Sequence, residues 1–421
     1  MHVHLTILLL AHALAFAAWS STAVATELLF PGIQPKVSAG GGQTVSRGPA
    51  SLFYNPANLI FSKFIEPYID VSLANVTYQY QHTDTEKYDP VVVGVTAPPV
   101  TVGAGFRPVP SFAMGVAFFP TGSGAVQLVE SVPLDVGSGN IQLTDIITKK
   151  SGSKLAAGAA FRFAFPFTVG AGLIRTSEQT QLQIFPVESE EALFDAAYQG
   201  NANQFLVGAR SELVDRYLVV ALSYRTAAQV NYAGDVGSSL NNGEFVAYEG
   251  VGYLPGAIGF GAETRFSSVG LFLDYVRETW SGARTVYRNG LSDSNVDEYD
   301  YIDTNNIALG LKWWMAPKHM IEVAFGSHGA NIGDGTETVE GAGLQDDEED
   351  LKIAGPTFGN TDAIPRTIFS GGYRAKITGN GYFQLGAQYQ TGSRVVPEGF
   401  GQEGQYTLRV ILLSLGLAYG F

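Results

Sequence analysis

The chain has 421 residues, a formal net charge of −14, 50 Gly, 26 Phe, 20 Tyr and no Cys. Charged residues make up 15% of it, against roughly 25% in an ordinary soluble domain, while hydrophobic residues make up 46%. The missing cysteines exclude a disulfide framework, a thiolate metal site and a cysteine nucleophile. The acidic balance argues against nucleic acid as a partner, because phosphate binding needs a basic surface.

In chain order, the first element is an almost wholly apolar run, Leu5–Trp19, followed by Ala23-Val24-Ala25, a small-x-small cleavage pattern. This predicts a signal peptide over 1–25, cleaved near Ala25, although the residues before the run include His2 and His4 and no Lys or Arg. The run is short for a membrane-spanning helix, and nothing after it is long and apolar enough to form one. The exported chain is therefore either soluble or a β-barrel.

Residues 26–63 show no strand alternation. They contain Gly40-Gly41-Gly42, Arg47-Gly48-Pro49 and Phe53-Tyr54-Asn55-Pro56-Ala57-Asn58-Leu59. Pro56 removes a backbone donor and restricts Asn55 to extended forms, so Asn55-Pro56 marks at least a turn.

From residue 64 onward the period is two. Leu218, Val220, Leu222 and Tyr224 alternate with Val219, Ala221, Ser223 and Arg225, and Ile307, Leu309, Leu311 and Trp313 alternate with Ala308, Gly310 and Lys312. A soluble sandwich also alternates. Here the second face is rich in Gly, Ala, Ser, Gln and scattered charge, as a barrel lumen is. Tyr224, Tyr275, Trp280, Trp313 and Tyr389 fit interfacial girdles. The pattern predicts about fourteen strands, near 65–79, 98–107, 110–119, 154–165, 167–185, 203–214, 217–232, 248–266, 268–281, 304–315, 319–332, 365–377, 381–394 and 405–421. Short turns alternate with long polar connections over 80–97, 120–153, 186–202, 233–247, 282–303, 333–364 and 395–404, as periplasmic turns alternate with outer loops. The expected fold is all-β, a transmembrane antiparallel barrel over 64–421. Ile411, Leu413, Leu415, Leu417, Tyr419 and Phe421 make one apolar face to the last residue. Such a strand resembles the sorting signal read by the outer-membrane assembly machinery, an expected partner.

In Asn55-Pro56-Ala57-Asn58-Leu59 the sequence resembles the FadL family of outer-membrane channels for long-chain fatty acids and hydrocarbons. The family motif is an Asn-Pro-Ala-Gly-Leu type that follows a Gly-rich stretch, and Asn58 departs from it. Ser223-Tyr224-Arg225-Thr226 with Ala233-Gly234-Asp235 is similar to a further family stretch. So is Leu254-Pro255-Gly256 with Asp274-Tyr275 and Trp280-Ser281. The resemblance implies a barrel of 14 strands plugged from the periplasmic side by a hatch over 26–63. It also implies capture of a hydrophobic ligand by outer loops, a pocket touching the hatch, and sideways exit through the wall. No cofactor is implied.

The candidate ligand-binding or gating residues are Phe53, Asn55, Pro56 and Ala57 in the hatch and Phe118-Phe119-Pro120, where the family's lateral opening lies. Leu193 and Phe194 belong to a predicted short helix within 189–198, either an outer docking groove or a cap on the barrel. Arg225 is one of several lumenal charges, assigned by parity, that could hold a ligand carboxylate; the others are Arg162, Glu263, Asp274, Lys312, Glu322, Arg374 and Lys376. Two acidic groups, Asp293, Asp297, Glu298, Asp300 and Asp303 in one outer loop and Asp346–Asp350 in another, read as solvated loops rather than as a metal site. Ser327 points away from the face of His328, so no Ser–His pair forms and no enzyme is expected. The expected activity is uptake of hydrophobic molecules by a monomer in the outer membrane of a Gram-negative bacterium, in contact with its lipid and lipopolysaccharide. The alternatives are a non-transporting adaptor in secretion or surface attachment, and a general porin.

Overall fold

The computed structural model describes residues 30–83, 90–97, 100–135, 141–164, 166–186, 194–214, 217–238, 245–281, 285–289, 295–297, 301–331, 364–377, 381–396 and 404–421. The predicted signal peptide lies outside these residues.

The alternating segments pair into one closed antiparallel barrel of fourteen strands. The first five are β1 (Ile65–His82), β2 (Val91–Ala97 and Val100–Val109), β3 (Phe112–Asp135), β4 (Ile141–Ala164) and β5 (Phe167–Pro186). They are followed by β6 (Phe194–Val214), β7 (Leu218–Arg225 and Ala228–Ser238), β8 (Phe245–Leu254 and Gly256–Phe266), β9 (Val269–Thr279 and Thr285–Asn289) and β10 (Asn295–Asp297 and Thr304–Ala316). The wall ends with β11 (His319–His328), β12 (Arg366–Lys376), β13 (Gly381–Val396) and β14 (Gly404–Tyr419). Each strand pairs with its predecessor. The ring closes where Tyr68 of β1 meets Ala418 of β14, in a register that runs to His82 opposite Gly404.

Because side chains alternate, every strand sorts its residues between two surfaces. The outward surface carries Leu73, Val116, Leu155, Leu173, Phe205, Leu222, Ile258, Leu271, Leu309, Phe325, Phe369, Leu385 and Leu413, all exposed. In water this surface would drive association; in a bilayer it is the lipid contact. On β14 the outward apolar residues run from Ile411 to Tyr419. At a strand rise of about 3.3 Å per residue this is about 26 Å, matching the apolar band of a transmembrane barrel.

Five segments predicted as polar connections, 80–97, 120–153, 186–202, 233–247 and 282–303, are partly strand. β3 and β4 continue upward as a tall hairpin, with Asp135 opposite Ile141, through most of the predicted 120–153 loop. Val91–Ala97 pairs with β1. The predicted short helix within 189–198 is also corrected: from Phe194 onward the chain is β6, paired with β5 at Phe194–Ile184 through Tyr198–Thr180. Cross-strand packing explains the last case, since the rings of Tyr198 and Tyr232 meet edge-on at 5.2 Å.

The described residues from Phe30 to Ser62 lie inside the ring. They form α1 (Ile33–Val37) and two 3₁₀ turns, Gly48–Phe53 and Pro56–Phe61. Leu52, Phe53, Leu59 and Ile60 share one hydrophobic core with Ala113, Ala117, Phe119, Ala156, Ala160, Ile174 and Leu206 of the wall. Small wall residues make room for the segment. A Cβ at Gly208 would collide with Asn55 Oδ1, and one at Gly170 with the Pro56 backbone.

Candidate functional site: the lumenal cavity and the segment beneath it

Asn55 is the N-cap of the second 3₁₀ turn, and Pro56 occupies its first position, where a missing N–H costs nothing. The side chain is fully buried and both ends of its amide are used. Oδ1 accepts from Ala57 N–H at 3.1 Å, while Nδ2 donates to the carbonyls of Ala209 on β6 and Leu222 on β7, each at 3.2 Å. One residue thus caps a turn and ties it to two adjacent wall strands. Asn58, the departure from the family motif, is also buried. Its Nδ2 donates to the Gln43 carbonyl at 2.8 Å, and its Oδ1 accepts from Arg210 at 3.2 Å. Arg210 also donates to the Thr44 carbonyl at 3.0 Å and lies over the Phe61 ring at 4.6 Å. A glycine at 58 would leave that guanidinium with one fewer acceptor.

The rest of the segment is held by buried charge. Lys36 is paired with Asp70 of β1, and Gln388 of β13 donates to the Lys36 carbonyl at 2.9 Å. Ser38 donates to Glu322 of β11, and Ser370 of β12 to the Val37 carbonyl. Asp274 of β9 accepts the Gln43 N–H at 2.9 Å and the Thr44 hydroxyl at 3.3 Å. Lys312 and Glu263 pair with each other at 3.1 Å. Parity placed Glu263, Asp274, Lys312 and Glu322 on the lumenal side, and all four are buried there. Lys36, Asp70 and Arg210, which sequence reasoning did not select, are equally central.

Above the segment lies a cavity of about 190 Å³. Its floor includes Phe30, Gly40, Gly41, Phe53 and Tyr54. Its apolar wall includes Phe119, Ile174, Leu206, Leu254 and Ile368, and its polar side includes Lys154, Gln204, Arg225, Asp274, Glu278 and His328. Arg225 pairs with Glu278 at 3.1 Å. The cavity therefore sets an apolar wall, on which a small hydrophobic molecule could rest, against a polar side that carries the charges of Lys154, Arg225, Asp274 and Glu278. Its volume exceeds the roughly 150 Å³ that accommodates benzene and falls below the roughly 300 Å³ of typical drug-sized pockets.

The predicted residues divide around this cavity. Phe53, Phe119 and Arg225 line it, and the rings of Phe53 and Phe119 meet edge-on at 6.4 Å. Asn55, Pro56 and Ala57 lie away from its lining, against β5, β6 and β7. Phe118 alternates with Phe119 and faces outward, half-buried. Leu193 lies outside the described residues, and Phe194 begins β6.

Two interruptions border the cavity. The β2–β3 ladder runs from Val109–Phe112 up to Val102–Phe118, and among the described residues it goes no further; β3 then shifts register against β4 at Pro120 and again at Ser123. The second is a seam across β6, β7 and β8. Pro255 has no N–H for the ladder, and Thr226 and Ala227 face it. Buried Gln204 closes this seam, its Nε2 donating to the carbonyls of Thr226 at 2.9 Å and Pro255 at 3.0 Å.

At the outer rim Asp303 accepts the backbone N–H groups of Trp280 (3.0 Å) and Ser281 (3.1 Å) and pairs with Arg277 at 2.9 Å. The Ser281 N–H, followed by the Arg277 guanidinium, holds the Asp303 carboxyl down at about 2. Trp280 stacks on Tyr301 at 5.9 Å. Asp293, Glu298, Asp300 and Asp346–Asp350 lie outside the described residues, and Asp297 ends a short strand.

No family model matches the sequence, and no curated protein matches it. Solved structures do. A FadL homologue from Pseudomonas aeruginosa superposes with a TM-score of 0.70 at 14% identity, covering 96% of this chain and 100% of that one. The toluene transporter TodX of P. putida gives 0.64 at 11% identity, over 93% and 99%. The toluene transporter TbuX of Ralstonia pickettii gives 0.62 at 13%, over 94% and 100%. Identities this low speak to architecture, and on that level the chain has the fold of the FadL-type barrels.

Proposed function

We propose that the protein is an outer-membrane channel for the uptake of small hydrophobic molecules, with residues 26–63 as its hatch. The cavity carries this reading: a chamber of about 190 Å³ with an apolar wall on one side lies between the segment and the barrel, next to the place where the β2–β3 ladder stops. A molecule that partitions into hydrocarbon gains nothing from an aqueous pore and needs an apolar chamber with a dry way out. In the reading proposed here, a ligand held against Phe53 and Phe119 leaves sideways past Phe118 and Pro120 when the hatch shifts. The chamber in this state suits a compact ring better than a long acyl chain, which would need the hatch to move first. The toluene transporters among the structural neighbours accord with that. A lumen filled by the hatch weighs against the general-porin reading.

Reconstitution into liposomes tests the proposal. Uptake of labelled toluene, and slower uptake of labelled oleate, should accompany low ionic conductance. Large steady conductance with no uptake of either hydrophobe would sink it. Phe119→Trp, which narrows both chamber and exit, should slow toluene uptake while the barrel stays folded.

A further inference from the structure

The outward apolar face stops abruptly on neighbouring strands. On β14 it ends at Ile411, and Arg409, Thr407 and Gln405 follow. On β13 Tyr389 gives way to Thr391 and Ser393, on β12 Phe369 gives way to Thr367, and on β1 Leu73 gives way to Asn75 and Thr77. The register aligns these changes: Arg409 is directly opposite Thr77 on one side and Thr391 on the other, and Thr391 is opposite Thr367. Thr367, Thr391, Thr407 and Arg409 line an open depression on this surface.

Arg409 is exposed and has no ion-pair partner among the described residues. The described residues facing outward beside and above it on β12, β13, β14 and β1 include hydroxyls and amides but no carboxylate. In a chain of net charge −14 this patch presents an exposed cation with no carboxylate beside it among the described residues. A guanidinium presents a fork of N–H donors that matches phosphate oxygens, and hydroxyls can take the remaining oxygens. The patch borders the apolar belt at the strand ends that lead into the long connections. On the outer-membrane placement proposed above, that is the headgroup level of the outer leaflet.

We infer that Arg409, with Thr77, Thr391 and Thr407, binds the phosphate of a phosphorylated glycolipid in the outer leaflet. The lipid's acyl chains lie along the belt below, against Ile411, Tyr389 and Leu73. This inference rests on the membrane placement and not on hydrophobe uptake.

Native mass spectrometry of the detergent-purified protein titrated with bisphosphorylated lipid A provides the test. Heat-modifiable migration on gels confirms that each variant is folded. Wild type should retain the lipid, and Arg409→Gln should weaken retention by about tenfold or more, the loss expected for a charge-assisted contact. Arg409→Lys, which keeps the charge and loses the fork, should fall between them. Arg277→Gln, on the far side of the barrel and already paired with Asp303, should bind as wild type does. Equal retention by wild type and Arg409→Gln overturns the inference. So does equal binding of dephosphorylated lipid A, or displacement of the lipid by millimolar inorganic phosphate, which would mark a free-anion site. Toluene uptake measured on the same variants reports on the channel separately, so failure of one reading leaves the other standing.

Discussion

Lys36 Nζ lies 2.5 Å from Asp70 Oδ2 with both side chains buried, and Ser72 Oγ accepts from the same ammonium at 2.7 Å. This pair joins the N-terminal segment to the first strand of the wall. Removing one partner leaves the other charge buried and alone, at a cost of about 3–5 kcal/mol. Lys36→Met should therefore free the N-terminal segment to proteases while the barrel remains heat-modifiable. Replacing both, as Lys36→Met with Asp70→Leu, should restore much of the protection. Unchanged proteolysis in the single variant would show that the pair does not hold the segment.

Asn55→Ala withdraws the donor from the Ala209 and Leu222 carbonyls and the cap from Ala57 N–H. The penalty for leaving such buried groups unpaired is about 1–3 kcal/mol. Gly208→Ala attacks the same contact from the wall side, because its Cβ would meet Asn55 Oδ1. Each variant should alter uptake kinetics in an intact barrel, and the double variant should add little beyond the worse single one. Additive losses in a double-mutant cycle would mean that the two act separately.

Gln204→Leu keeps the side chain's bulk and removes both donors from the seam. The carbonyls of Thr226 and Pro255 would then have to recruit water. Hydrogen exchange should rise around 226–230 and 252–256 and stay level in β13 and β14. An exchange map identical to wild type would show that Gln204 does not close the seam.

Asp303 sets a pH window at the outer rim. Its folded carboxyl titrates at about 2, below its ordinary value of 3.8. The stability it contributes is full above roughly pH 4 and is lost as pH falls through about 2. Trp280 emission should stay constant from neutral pH down to about 4 and shift below that. Asp303→Asn should show the acid-form spectrum already at neutral pH. A wild-type transition centred near pH 4 would contradict the assignment.

Much of the fold could be read from sequence because a lipid-facing strand leaves little freedom: one face must be apolar over the whole belt, as in Ile411 to Tyr419. Above the belt that requirement lapses. This is why the upper parts of β3 and β4 looked like a polar loop although their backbones pair. The stretch Leu193, Ala196, Ala197 carried helical spacing, yet Tyr198 pairs with Thr180 and packs on Tyr232. Parity gave the lumenal side of Glu263, Asp274, Lys312 and Glu322, but not what each would touch. Asp70 lies on the lumenal parity of β1 and could have been found the same way. Gln204 could not, because its role depends on a proline 51 residues away. The motif at 55–59 was legible as a unit, and what Asn58 does became clear only with Arg210 beside it.

Gly208 and Gly170 leave a single backbone between the Asn55-Pro56 pair and the outside of the barrel, where Phe161, Tyr224 and Ile258 border an apolar hollow. The Asn55 amide is therefore screened by hydrocarbon on one side and by the packed segment on the other. In such a low-dielectric setting each hydrogen bond is stronger, and each lost partner costs more, than on a solvated turn. The thinness of the wall, as much as the identity of the residues, gives this short motif its hold on the N-terminal segment.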